Sequence, residues 1–111
     1  MNATIYHNPR CSKSREALAI LRQSGAEIEI IDYLKTPPGA EELARLYDRA
    51  GITPAEGLRK AEPGARPLLD ANDETILAAM AADPILIERP LVETDKGVRI
   101  GRPPEAIREI L

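Results

Sequence analysis

The sequence predicts one mixed α/β domain in the order βαβ, a helical middle, then ββα. Three observations lead to this. Two short apolar runs near the start flank a segment with helical spacing. Two more short runs near the end are joined by Asp95-Lys96-Gly97, a hairpin signature. The 111 residues suit a single domain better than two separate cores.

Each element has its own local reason. Ala3 to His7 reads as a short strand centred on Ile5 and Tyr6, and Asn8-Pro9 turns the chain. Ser12–Gln23 reads as a helix with Ala17, Leu18 and Leu21 on one face and Gly25 beyond its end. Glu27 to Ile31 alternates like a half-buried strand. A right-handed crossover would make these two strands parallel neighbours. After Thr36-Pro37-Pro38-Gly39, residues Leu43, Leu46, Tyr47 and Ala50 repeat at helical spacing until Gly51. Thr53-Pro54-Ala55-Glu56 is a capping box that opens a short helical turn to about Leu58. Ala61 to Leu69 reads as a loop, and Asn72 caps a helix presenting Ile76, Leu77 and Met80. Ile85-Leu86-Ile87 fits either a helical turn or a strand. Leu91 to Thr94 and Val98 to Ile100 form the hairpin, and Arg102-Pro103-Pro104 leads into a last amphipathic helix with Ile107, Ile110 and Leu111.

Composition narrows the function classes. With 43% hydrophobic and 30% charged residues, the chain is ordinary globular material rather than a disordered one. It has no Phe or Trp, so the core is aliphatic and stacking platforms for single-stranded nucleic acid are missing. A net charge of -3 argues against general attraction to nucleic acid or anionic membranes. No stretch would span a bilayer, and Met1-Asn2-Ala3-Thr4 has no signal-peptide pattern, so the cytoplasm is the expected location. One cysteine excludes an internal disulfide, and one His with one Cys makes a poor metal site.

That cysteine, Cys11, falls at the start of the first helix. Unpaired backbone N–H groups and the helix dipole favour a thiolate there. Arg10, Lys13 and Arg15 add positive charge in the sequence around it. The competing reading is a buried structural cysteine, which the basic neighbours disfavour. A tyrosine-phosphatase-like loop needs Arg six positions after the cysteine, and Ala17 stands there. A dithiol enzyme needs Cys-x-x-Cys, and this run is Cys11-Ser12-Lys13-Ser14. Ser14 can donate a hydrogen bond to a thiolate but cannot resolve a disulfide, so any reducing thiol comes from outside. His7 reads as a general base, a partner of Asn8, or a surface residue.

Ile5-Tyr6-His7-Asn8-Pro9-Arg10-Cys11-Ser12-Lys13-Ser14-Arg15 resembles the active-site segment of the glutaredoxin-coupled arsenate reductase family. Asp32-Tyr33-Leu34 with Thr36-Pro37-Pro38 is similar to the family's second strand and loop. Leu58-Arg59-Lys60, Asp83-Pro84-Ile85-Leu86-Ile87-Glu88-Arg89-Pro90 and Gly101-Arg102-Pro103 resemble its three arginine motifs. The matches run in order over nearly the whole chain. Residues 61–67 depart from the pattern, being shorter and richer in Pro and Gly.

The resemblance implies a thioredoxin-like fold with an inserted helical region. It favours a helical turn at Ile85 to Ile87 and a cis peptide at Pro90. It implies Cys11 as nucleophile and Arg59, Arg89 and Arg102 as oxyanion-binding residues, against the ordinary reading of arginines as solvated surface. His7, Asn8, Ser14 and Arg15 match positions that tune the thiolate. The implied substrate is arsenate or a similar oxyanion. The implied reductant is glutathione, with glutaredoxin resetting the enzyme and no bound cofactor or metal. The alternatives are a general glutathione-linked thiol oxidoreductase and a redox-linked transcriptional regulator, although Ser14 removes the Cys-x-x-Cys switch that such a regulator uses.

Overall fold

The computed structural model describes residues 1–111. Two compact units make up the chain: Met1–Thr36 with Arg89–Leu111, and the intervening Pro37–Glu88.

The first unit is built on a four-stranded sheet. Its strands are β1 (Asn2–His7), β2 (Glu27–Asp32), β3 (Leu91–Thr94) and β4 (Gly97–Ile100), in the order β2-β1-β3-β4. As the sequence predicts, β1 and β2 are parallel and are joined by helix α1 (Ser12–Gln23). The β1–β3 and β3–β4 pairs are antiparallel. Ala3 and Ile5 of β1 pack with Ala17, Leu18 and Leu21 of α1 and with Val92, Ile107 and Ile110. The helix stops where the Ser24 hydroxyl donates to the Leu21 carbonyl at 2.6 Å, and Gly25 follows with φ +79°, which glycine adopts without steric cost.

The C-terminal segment departs from the expected α-helix. Pro104–Ile110 is a 3₁₀ helix, and its buried residues are Pro104, Ile107 and Ile110. An interval of three residues is one 3₁₀ turn, so these side chains line a single face, which the 3.6-residue α period would have rotated apart. Its end is tied to the hairpin. The Thr94 hydroxyl donates to the Ile110 carbonyl at 2.6 Å, and Lys96 Nζ donates to the Leu111 carbonyl at 2.9 Å.

The second unit contains α2 (Ala40–Ala50) and α3 (Asp73–Ala82). Helix α2 buries Leu43, Leu46 and Tyr47 and ends at Gly51 in the left-handed conformation. Asn72 caps α3, accepting from the Thr75 N–H at 2.9 Å. The capping box forms: the Glu56 N–H donates to Thr53 Oγ1 at 3.2 Å and the Thr53 N–H to Glu56 Oε1 at 3.1 Å. The chain then makes hydrogen-bonded turns and leaves them for an isolated bridge between Leu58 and Ile87. The segment expected as loop contains a 3₁₀ helix, Pro63–Leu68, that buries Ala65. Pro84–Leu86 is a single 3₁₀ turn, the helical alternative for that stretch. Gly57 has no substitute of larger size: a Cβ there would run into the ring of Tyr47.

Candidate active site around Cys11

The site begins where the central strand ends. After His7, Asn8 organises the turn: its side chain accepts from the Arg10 N–H at 3.0 Å, and its carbonyl accepts from the Cys11 N–H at 3.0 Å. Cys11 is the N-cap of α1, with φ -96° and ψ 122°, and its carbonyl accepts from the Arg15 N–H at 3.0 Å. Arg15 braces the same turn by donating to the Pro9 carbonyl at 2.9 Å.

Cys11 is only 8% exposed, more enclosed than its basic neighbours suggest. Burial pushes the thiol up. The backbone N–H of Ser14, the Arg89 guanidinium and the backbone N–H of Lys13 outweigh it and hold Cys11 below the ordinary thiol value. The charge that acts on the sulfur therefore comes from Arg89, distant in sequence, rather than from Arg10, Lys13 or Arg15. A titration of thiolate absorbance should show a midpoint below the free-thiol value of about 8.5. A midpoint at or above it would remove the basis for a nucleophilic role.

Ser14 and His7 are buried beside this turn. The Ser14 hydroxyl accepts from the Asn8 N–H at 3.0 Å and lies 2.6 Å from His7 Nδ1. Ser14 thus acts on the sulfur through its backbone N–H, while its hydroxyl locks the end of β1 to the first turn of α1. Burial lowers the His7 pKa; Asp32, paired with His7 across β1 and β2, opposes this, and Arg22 and Arg15 reinforce it. His7 is therefore neutral at pH 7, with one ring nitrogen able to accept.

The hairpin brings Arg89 and Arg102 together. Leu91 pairs with Ile100, the Gly101 N–H donates to the Pro90 carbonyl at 2.8 Å, and Arg102 Nε donates to the Arg89 carbonyl at 2.8 Å. The β1–β3 register, which sets Tyr6 against Leu91, continues toward Arg89 on the side of Asn8. The Arg89–Pro90 peptide is cis, as the resemblance implies, and so is Arg102–Pro103.

Arg59 belongs to the Pro37–Glu88 unit. Its N–H donates to the Leu86 carbonyl at 2.8 Å, and a terminal nitrogen lies 3.7 Å from Glu62. Its Nε is buried without a hydrogen-bond partner.

The family model of the ArsC family matches residues 6–110. This chain belongs to the ArsC family. It is 45% identical over 114 residues to an arsenate reductase of Escherichia coli K12, covering 99% of this chain and 81% of the relative. It is 42% identical to the uncharacterized protein YfgD of the same organism, covering 96% and 94%. Among solved structures, an arsenate reductase from Vibrio cholerae superposes with a TM-score of 0.93 at 45% identity, covering 100% of this chain and 98% of the other. The fold is thus the thioredoxin-like one of the ArsC family. Sequence reading of this ArsC chain misses Asp32, placed beside His7 by strand pairing, whereas the backbone N–H groups expected to favour the thiolate at the helix start are those of Lys13 and Ser14.

Proposed function

We propose that this ArsC-family protein reduces arsenate to arsenite with glutathione as electron donor and glutaredoxin as the resetting partner. The observation that carries the reading is a thiol with a lowered pKa at a helix start, with one guanidinium acting on it and a second tied to the first through the hairpin. Such a constellation suits a nucleophile meeting an oxyanion.

The Cys11 thiolate attacks arsenic, and one oxygen leaves as hydroxide, which solvent protonates. Arg89 and Arg102 stabilise the charge on the remaining oxygens. Arg59 is proposed as the third oxyanion arginine; the motif match supports this, as does its buried Nε–H, a donor that an oxyanion would satisfy. The glutathione thiolate then attacks the Cys11 sulfur. The sulfur–arsenic bond breaks and its electron pair stays on arsenic, which falls from As(V) to As(III) and leaves as arsenite. The two electrons are matched by the new disulfide between Cys11 and glutathione. Glutaredoxin attacks the glutathione sulfur of that disulfide and frees Cys11. An external thiol is required because the chain has a single cysteine. The reading puts the protein in the cytoplasm, where thiols are kept reduced by glutathione; no helix is long and apolar enough to cross a membrane.

Purified protein given arsenate, glutathione and glutaredoxin should form arsenite, and omission of any one component should stop multiple turnover. Arsenite formation no greater than in the protein-free mixture would sink this reading.

A further inference from the structure

The reducing thiol needs a place to bind, and the first unit contains a recess beside the Asn8–Arg10 turn that leads into Cys11. Its volume is about 250 Å³, and it is lined by Asn8, Pro9, Arg10, Asp32, Leu34 and Lys35. Two turns form its walls. The first runs from Asn8 to Cys11 and is held by the Asn8 bonds to the Arg10 and Cys11 N–H groups. The second follows β2, where Asp32 accepts from the Leu34 N–H at 3.2 Å through its side chain and from the Lys35 N–H at 3.1 Å through its carbonyl. These bonds fix both backbones, so the recess is present before a ligand arrives.

The lining has a distinctive charge set. Arg10 and Lys35 are exposed cations outside the ion pairs of the structure, and Asp32 is a single anion. Pro9 and Leu34 supply apolar surface, Leu34 being 43% exposed. Two cations, one anion and a small apolar patch complement a ligand with two carboxylates, one ammonium group and a short apolar stem. Glutathione has that composition. An inorganic oxyanion has no use for Asp32 or Leu34, and a neutral thiol has no use for the cations. The volume lies below the roughly 300–1,000 Å³ typical of sites that engulf a whole small molecule. It suits a ligand held by its charged ends with the thiol left outside, and Arg10 is the residue directly before Cys11.

We propose that this recess is the glutathione seat, in which Arg10 and Lys35 take the carboxylates and Asp32 the ammonium group. The proposal rests on the reading of glutathione as reductant, but it can be tested without arsenate. Glutathione disulfide reacts with a thiolate by exchange: the Cys11 sulfur bonds to one glutathione sulfur, the disulfide breaks, and the second glutathione leaves as a thiolate. The rate of Cys11 modification in the full chain, followed by intact mass, is compared for glutathione disulfide and for uncharged hydroxyethyl disulfide. Arg10→Gln and Lys35→Gln should each slow the glutathione disulfide reaction by about 2- to 5-fold, as befits exposed charge pairs. Their rates with hydroxyethyl disulfide should stay at the wild-type value. The neutral reagent reports any change in Cys11 itself. Equal slowing with both reagents, or slowing with neither, overturns the seat. If the charge-dependent pattern holds but arsenate is not reduced, the proposed function falls and the seat stands. If arsenate is reduced but the pattern is absent, the seat alone falls.

Discussion

Replacing Cys11 with Ser is expected to abolish arsenate reduction and leave the fold intact. A serine hydroxyl stays protonated at neutral pH, so the variant has no nucleophile, and the chain has no second thiol to substitute for it. The architecture does not depend on the sulfur. The turn is closed by the Cys11 N–H donating to the Asn8 carbonyl, and the helix is opened by the Arg15 N–H donating to the Cys11 carbonyl. Both are backbone bonds that serine keeps. Position 11 is an N-cap whose native side chain makes no capping bond. Serine is among the favoured N-caps, so helix α1 should be no less stable than in the native chain. Arsenite production and a thermal melt by circular dichroism measure the two halves of the prediction. Turnover retained with native melting behaviour would place the chemistry at another residue.

Some of this site could be read from the sequence, and the physics of each part explains why. Helix α1 and the Asp95-Lys96-Gly97 hairpin rest on local signals, and both appear with the expected boundaries, to within a residue. The hairpin carries more than its own strands. Once Thr94 faces Gly97, antiparallel register sets Leu91 against Ile100, and the pairing runs on to Arg89 and Arg102. The meeting of those two arginines is therefore implicit in the turn. The pairing of β1 with β3 has no local signature, because it joins segments far apart in the chain. That pairing brings Arg89 to the sulfur, so the true charge partner of Cys11 was hidden behind the nearer Arg10, Lys13 and Arg15. The last helix differs from its sequence expectation for another reason. Ile107 and Ile110 fit both helical periods, and Pro104 three residues earlier tips the buried row to 3₁₀.

The three arginines separate an arsenate reductase from a generic thiol enzyme. Lysine should substitute poorly at Arg59, Arg89 and Arg102, since an ammonium keeps the charge and loses the planar fork that grips two oxygens at once. Each lost charge-assisted hydrogen bond costs about 1.5–3 kcal/mol, which is about 10- to 150-fold in rate per position. Where the bonds form mainly in the transition state, kcat should fall more than KM rises. The geometry adds a distinction among the three. Arg89 acts directly on the Cys11 sulfur, so Arg89→Lys should shift the thiolate titration as well as the rate. Arg102 is placed by its bond to the Arg89 carbonyl, and Arg59 is held against Leu86 and Glu62 in the other unit. Their Lys variants should lose rate with the thiolate titration unchanged. Arg66→Lys, an exposed position in the Pro63–Leu68 segment, serves as the control and should behave like wild type. The measurements are arsenite production at varied arsenate and thiolate absorbance against pH for all four variants. Four variants with the same kinetics would mean that no oxyanion is gripped by these guanidinium groups. Cys11 could still be reactive in that case, and a glutathione-linked thiol oxidoreductase acting on another substrate would become the better account of the protein.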